Sequence, residues 1–163
     1  MIRKFLILTF IISFINLPIH SAEKSDGKQD LSFLDVKNSN YKKGFDALKQ
    51  ATRYAKKGKL KKAQKRFNDT IKFFLLANEE IPNEPSILNY LGFSYKKVGD
   101  FLMAEIYYTQ GLEIDPKNID MNKYLGELYI ETDRVDLAKK RLEILENCKC
   151  EEYNDLKKII TGS

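Results

Sequence analysis

A repeat of 34 residues restricts the fold of this 163-residue chain more than any other feature of its sequence. When Pro85–Asn118 is aligned with Ile119–Glu152, small and aromatic residues fall on residues of the same kind. Periods of about 20–50 residues are typical of solenoids, in which each repeat packs mainly on its neighbours. We therefore expect stacked repeats of helices. The matching pairs are Leu91 with Leu125, Gly92 with Gly126, Tyr95 with Tyr129 and Ala104 with Ala138.

An earlier, altered copy of the repeat lies at about residues 44–77. Its Ala63 precedes Ala104 by 41 residues, seven more than the period. Seven residues make about two helical turns. We therefore expect a lengthened helix in this copy, from Leu60 to about Glu80, where prolines end it. The equivalent pairs are Ala51 with Gly92, Tyr54 with Tyr95, Gly58 with Gly99, Ala63 with Ala104 and Phe67 with Tyr108.

Gly92 and Gly126 fall in the middle of predicted helices, where glycine costs about 1 kcal/mol relative to alanine. Such a cost is tolerated where a neighbouring helix must approach closely. Ala104 and Ala138 are the small residues expected to face that contact. Turn residues separate the two helices of each pair, at Gly99-Asp100 and at Thr132-Asp133.

The central copy carries small, aromatic and turn residues at fixed spacing: Leu88, Leu91, Gly92, Tyr95, Gly99, Asp100, Phe101, Ala104, Tyr108, Gly111 and Pro116. This pattern resembles the tetratricopeptide repeat, although Leu88 stands where that family usually has tryptophan. The resemblance implies an all-α solenoid of about three helix-turn-helix repeats, at about 44–77, 85–118 and 119–152. The amphipathic segment at 151–161 is expected to form a capping helix, which a solenoid needs over its last apolar surface.

The first 22 residues have the order of a secretory signal peptide. Arg3 and Lys4 precede an apolar run from Phe5 to Leu17, and small residues follow it. The run is shorter than the roughly 20 residues that a spanning helix needs; retention as a membrane anchor is the alternative. We expect an exported, most simply periplasmic, protein. The predicted organisation is a signal peptide at 1–22, a flexible leader at 23–40 and a helical domain at 41–163.

In stacked helix pairs the first helix of each pair lines the concave side. The resemblance implies that this side holds a peptide or a segment of another protein. The residues predicted to bind it are Asn89, Phe93, Lys96, Lys123 and Glu127. Asn89 and Lys123 are similar to part of a clamp by which some members of the family hold a terminal carboxylate, whereas Phe93 and Glu127 depart from it. We favour an apolar contact centred on Phe93, unless the next helix buries that ring.

Eight cations without an acid among them lie within residues 53–66. They indicate an acidic partner surface, either anionic lipid head groups or an acidic protein, or else a solvated helix face. Acids cluster in the third copy, and head-to-tail self-association would use this asymmetry. Nucleic acid is not an expected partner of an exported protein. The cations are Arg53, Lys56, Lys57, Lys59, Lys61, Lys62, Lys65 and Arg66.

Cys148 and Cys150 are the only cysteines. An oxidising compartment favours a disulfide bond between them, which would close a small and reducible ring. The alternatives are unremarkable thiols, pairing with another molecule, and a metal site completed by Glu151 and Glu152. Residues 148–157 are also similar to the end of small exported alphaproteobacterial tetratricopeptide proteins.

Catalysis is poorly supported by the sequence. The only histidine, His20, lies in the predicted signal peptide, so the processed chain would lack the commonest general base. The sequence has no Gly-rich phosphate loop, nucleophile elbow or metal-binding helix motif, and we expect no cofactor. We predict a non-enzymatic interaction module or scaffold that binds a peptide or protein segment on its concave face. The alternatives are a membrane-surface adaptor that uses residues 53–66 and a thiol-redox role at Cys148 and Cys150.

Overall fold

The computed structural model describes residues 39–162, which form seven α-helices. The predicted signal peptide and the leader up to residue 38 lie outside this range. Within it, no helix is both long and apolar enough to cross a lipid bilayer. The helices are α1 (Ser39–Lys56), α2 (Leu60–Glu80), α3 (Pro85–Val98), α4 (Phe101–Ile114), α5 (Ile119–Glu131), α6 (Val135–Leu145) and α7 (Glu151–Thr161).

The helices pack in consecutive pairs. Helix α1 packs on α2, α3 on α4 and α5 on α6, while α2 contacts α3 and α4 contacts α5. Helix α7 packs on both helices of the last pair, and its Leu156 is fully buried. The predicted all-α solenoid, with three helix pairs and a C-terminal cap over the last apolar surface, is confirmed.

Both helices of the first pair are longer than their equivalents in the second. Helices α1 and α2 have 18 and 21 residues, against 14 each in α3 and α4. The lengthened α2 was predicted, but the predicted leader ran too far, because Ser39 and Asn40 are helical. The added turns pack on each other: the ring centroids of Tyr41 and Phe74 are 5.5 Å apart, and Asn40 Nδ2 donates a hydrogen bond to Glu80 Oε1 at 2.6 Å.

Glycine at position 92 allows α3 and α4 to approach closely. A Cβ atom there would lie 2.6 Å from Cδ1 of Tyr108, in a rigid ring. At the equivalent Gly126, a Cβ atom would lie 2.6 Å from Cδ2 of Leu156 on α7. Close packing at Gly92 and Gly126 was predicted. The side chains that face these glycines are Tyr108 and Leu156, which are larger than the predicted alanines. In a close-packed interior, a large neighbouring side chain fills the space that glycine leaves.

The turns between paired helices use the residues predicted for them. Gly99 ends α3 in the left-handed region, with a φ of 87°. The Asp100 carboxylate then accepts a hydrogen bond from the backbone N–H of Met103 at the start of α4. Between α5 and α6, Asp133 has a φ of 57°. Local backbone chemistry therefore determines where these helices end.

Candidate functional site

A groove of about 250 Å³ lies across the first helix of each pair, α1, α3 and α5. These are the helices predicted to form the concave side. The groove is mostly apolar with a few polar groups, which is the usual character of a binding site. Its lining residues are Leu48, Lys49 and Thr52 from α1, Asn89, Tyr90 and Phe93 from α3, and Asp120 and Tyr124 from α5.

Aromatic rings connect the groove to the core. The ring centroid of Tyr90 lies 5.1 Å from that of Phe74, and Phe93 lies 5.2 Å from Tyr124 and 6.1 Å from Phe67. Tyr90, Phe93 and Tyr124 are half-buried, so each ring packs inward and still lines the groove. Burial is the main reason why the pKa of Tyr90 and that of Tyr124 are raised. Both hydroxyls therefore remain protonated hydrogen-bond donors at neutral pH.

The polar groups of the groove differ between its two sides. On α1, the Lys49 ammonium lies 4.3 Å from the centroid of the Phe45 ring. On α5, Asp120 forms no ion pair with any residue in the described part of the chain. Partial desolvation, followed by the charge of Glu152, raises the pKa of Asp120. On α3, Asn89 Oδ1 is buried and lacks a hydrogen-bond partner within residues 39–162, which costs free energy.

An ion-pair network beside the groove joins α3, α5 and α7. Lys96 Nζ, on a side chain that is only 4% exposed, lies 2.7 Å from Glu127 Oε2 and 2.9 Å from Glu131 Oε1. Lys123 Nζ lies 2.9 Å from Asp155 Oδ2 and 3.9 Å from Glu127 Oε1. Each of these lysines therefore already has carboxylate partners within the protein.

This network separates the residues predicted to bind a peptide into two groups. Asn89 and Phe93 line the groove, whereas Lys96, Lys123 and Glu127 do not. The latter three are bonded within the network. A carboxylate clamp needs a cation whose charge is available to the ligand, whereas Lys123 is already paired with Asp155. Peptide binding by any of the five residues stays a prediction.

The sequence-based prediction omitted five residues that line the groove. Three of them lie on α1, in the first repeat, and the other two are Tyr90 and Tyr124. The repeat alignment contains the information needed to find them. The omitted α1 residues stand 41 residues before lining residues of α3, which is the offset between the first and second copies. Tyr124 stands 34 residues after Tyr90. The pairs from α1 are Leu48 with Asn89, Lys49 with Tyr90 and Thr52 with Phe93.

Residues 53–66, which we call the basic tip, comprise the end of α1, the connection to α2 and the first turns of α2. Seven of its eight cations are exposed. Among the described residues, only Arg66 of these eight forms an ion pair, 3.0 Å from Asp69. Lys62 lies 5.9 Å from the centroid of the Tyr54 ring. The basic tip therefore carries positive charge that the described part of the protein leaves almost entirely unneutralised.

Cys148 and Cys150 are joined by a disulfide bond in the connection between α6 and α7. Neither residue lines the groove. Within residues 39–162, no group of acids, cysteines and histidines is arranged to hold a metal ion, so a metal site completed by Glu151 and Glu152 is not supported. A thiol-redox role stays a prediction, which a Cys148→Ser/Cys150→Ser variant with its fold intact would test.

Residues 86–118, in the central helix pair, match the family model of the tetratricopeptide repeat. The first tetratricopeptide domain of Spaghetti (RPAP3), bound to the HSP90 peptide SRMEEVD, has a TM-score of 0.56 and 19% identity, covering 75% of this chain and 94% of that domain. The Sgt2 domain from Aspergillus fumigatus has a TM-score of 0.57 and 15% identity, with coverages of 77% and 82%. The TPR2B domain of yeast Sti1, in a complex with pHsp70, has a TM-score of 0.51 and 15% identity, with coverages of 73% and 94%. A search of curated protein sequences found no match. This chain therefore contains a tetratricopeptide repeat and has the all-α fold of a tetratricopeptide array.

Proposed function

We propose that this chain is a non-enzymatic protein-interaction module that binds an extended segment of another protein in the groove of α1, α3 and α5. The groove itself carries the proposal, because it presents the half-buried aromatic residues Tyr90, Phe93 and Tyr124 beside few polar groups. Aromatic side chains of this kind are frequent anchors of protein interfaces. The solved relatives bound to an HSP90 peptide and to pHsp70 support a peptide ligand.

The charge on the α5 side of the groove favours a segment that places a cationic group there, next to an apolar anchor. Lys96 and Lys123 are neutralised by carboxylates. Asp120 lines the groove and forms no ion pair within the described residues. Its pKa is raised because desolvation and the charge of Glu152 outweigh the opposing charge of Lys123. A lysine, an arginine or an amino terminus of the ligand would offset this cost. An acidic group at the same place would add to it.

Two labelled nonapeptides test this proposal by fluorescence anisotropy, one with a central leucine flanked by lysines and one with the leucine flanked by glutamates. We expect the lysine-flanked peptide to bind about tenfold more tightly.

Phe93→Ala should weaken binding of the lysine-flanked peptide by about thirtyfold, since truncation of an aromatic anchor costs about 2 kcal/mol or more. Tyr107→Ala, at a half-buried ring on α4 outside the groove, is the matched control and should leave binding unchanged. Asp120→Lys should reverse the preference between the two peptides.

The two parts of the proposal fail in different ways. If the folded protein binds neither peptide, the groove is not a site for such segments and the interaction module is contradicted. If the glutamate-flanked peptide or SRMEEVD binds as well as the lysine-flanked peptide, the module survives and the preference for cationic segments is wrong.

We also propose that the protein is exported to the periplasm. The predicted signal peptide at residues 1–22 supports this location, as does the bond between Cys148 and Cys150, because disulfides persist in oxidising compartments. Alkaline phosphatase fused after the last residue should be active in an exporting bacterial host. Leu8→Arg, which interrupts the apolar run, should abolish that activity. Undiminished activity in this variant would contradict export through residues 1–22.

A further inference from the structure

The basic tip is a dense cluster of charge, with eight cations and no acid within 14 residues of the chain. Arg134, for comparison, donates two hydrogen bonds to Glu105, at 2.9 and 2.7 Å. In the basic tip, only Arg66 has an acid within ion-pair distance among residues 39–162. The charges of the remaining cations therefore add together at the surface and are available to an anionic partner.

Leu60 lies among these cations and is 71% exposed. It is the first residue of α2, between Lys59 and Lys61. A leucine this exposed gains free energy when it enters an apolar phase. Proteins bind the surface of a bilayer through two contributions: attraction of basic residues to anionic head groups, and burial of apolar side chains at the acyl boundary. The lysines of the basic tip and Leu60 would supply both.

The start of α2 adds to the positive potential of the basic tip. Lys59 provides no side-chain cap, and the first turn contains no acid. The first backbone N–H groups of a helix carry partial positive charge. Lys61 and Lys62 therefore occupy positions that the helix dipole disfavours, and an anionic surface would relieve this repulsion.

We propose that the basic tip docks the protein onto an anionic lipid bilayer, with Leu60 entering the interface between head groups and acyl chains. This function is independent of peptide binding in the groove. A bilayer fits the basic tip better than an acidic protein does, because most of its cations are exposed lysines that no described acid holds in place. Lysine is a flexible point charge suited to a diffuse anionic surface, whereas recognition of a discrete carboxylate favours an arginine held in position.

Cosedimentation of the full chain with phosphatidylcholine/phosphatidylglycerol vesicles tests the electrostatic part. Pure phosphatidylcholine vesicles give the baseline for binding through the apolar N-terminal run. Lys57→Gln/Lys59→Gln/Lys61→Gln should weaken binding to the anionic vesicles by about a hundredfold, since each basic residue near an anionic surface contributes about a fivefold factor. Lys117→Gln/Lys140→Gln/Lys158→Gln removes the same charge from exposed positions elsewhere and should change binding by less than about threefold. Raising the salt from about 0.1 M to about 1 M should abolish the difference between the triple variants.

Leucine substitutions test insertion into the interface. Leu60→Ser should weaken binding to the anionic vesicles about tenfold, with little change in its salt dependence. Leu102→Ser, at a leucine on α4 that is also 71% exposed, is the matched control and should bind as the unchanged chain does. Circular dichroism establishes that each variant is folded.

Three results would overturn the proposal. Equal losses in the two triple lysine variants would show that only net charge matters. Equal binding by Leu60→Ser and Leu102→Ser would exclude insertion of Leu60. Binding to soluble dextran sulfate without binding to the anionic vesicles would indicate a soluble polyanionic partner instead of a lipid surface.

Discussion

The first helix pair and the C-terminal end of the array are held together by different interactions. In α1 and α2 the added turns pack through aromatic rings, with Tyr41 and Phe74 5.5 Å apart. At the other end, the cap α7 is joined to α5 by the ion pair between Lys123 and Asp155 at 2.9 Å. The difference teaches that a lysine joins helices of the array where an acid on another helix lies within its reach.

The same residue type therefore has two roles in this protein. The side chain of Lys96 is 4% exposed, and its charge is neutralised by Glu127 and Glu131. Lys61 is exposed on the basic tip and has no acidic partner among the described residues. Neutralised lysines hold helices together and are not available to a ligand, whereas unneutralised lysines raise the potential at the surface.

Phe74→Ala tests the aromatic packing and should have the largest effect. Phe74 is fully buried, and the rings of Tyr41 and Tyr90 pack on it. Removing a buried phenylalanine side chain costs about 3–5 kcal/mol, so we expect a loss of this size in the free energy of unfolding in urea. The neighbouring Phe73 is half-buried, and Phe73→Ala should cost about 1 kcal/mol. Equal losses would show that the first pair does not depend on the Phe74 contacts.

Lys96→Met tests the ion-pair network and should have an intermediate effect. The variant leaves Glu127 and Glu131 close together without the cation that joins them. Removing one partner of a fully buried pair costs about 3–5 kcal/mol. Because Glu131 is 46% exposed and water screens it, we expect a smaller loss of about 1–3 kcal/mol in urea unfolding. Lys97→Met, at an exposed position, is the control and should change stability by about 0.5 kcal/mol at most. Identical stabilities for the two variants would remove the distinction between neutralised and exposed lysines.

Asp155→Asn should have the smallest effect, and that effect should depend on pH. The hydrogen bond from Lys123 and its charge lower the pKa of Asp155 below its ordinary value of 3.8. The stabilisation is therefore fully present above that value and is lost as the pH falls through the lowered pKa. In thermal melts, the Tm of the variant should be lower than that of the unchanged chain at about pH 7 and should approach it only at pH values well below 3.8. A Tm difference that is constant with pH would mean that ionisation of Asp155 does not stabilise the cap.

The sequence predicted the turn between α3 and α4 because helix ends are determined locally. Gly99 adopts a positive φ, and Asp100 caps the next helix. The seven additional residues between the first and second copies of the repeat predicted the lengthened α2. The start of α1 was missed because Ser39 and Asn40 are polar and lack a helical pattern. Short polar segments become helical through tertiary packing, here against the lengthened end of α2.

The candidate site was predicted in part. The first helix of each repeat could be placed on one side from the periodicity, and this placement found Asn89 and Phe93. Tyr90 and Tyr124 were omitted because aromatic residues at helical spacing are equally consistent with the core. Their half-burial depends on how far neighbouring helices cover them, which the repeat pattern does not specify.

The sequence by itself determined the repeat, the helix pairs, the lengthened α2 and the cluster of cations at residues 53–66. Only the tertiary structure decided which cations are neutralised. Lys96 and Glu127 are 31 residues apart in the chain, and Lys123 and Asp155 are 32 apart. Bonds of this kind require two helices to place their charged groups about 3 Å apart. Helix periodicity specifies the face on which a charge lies, but the packing of one helix on another determines whether its partner is within reach.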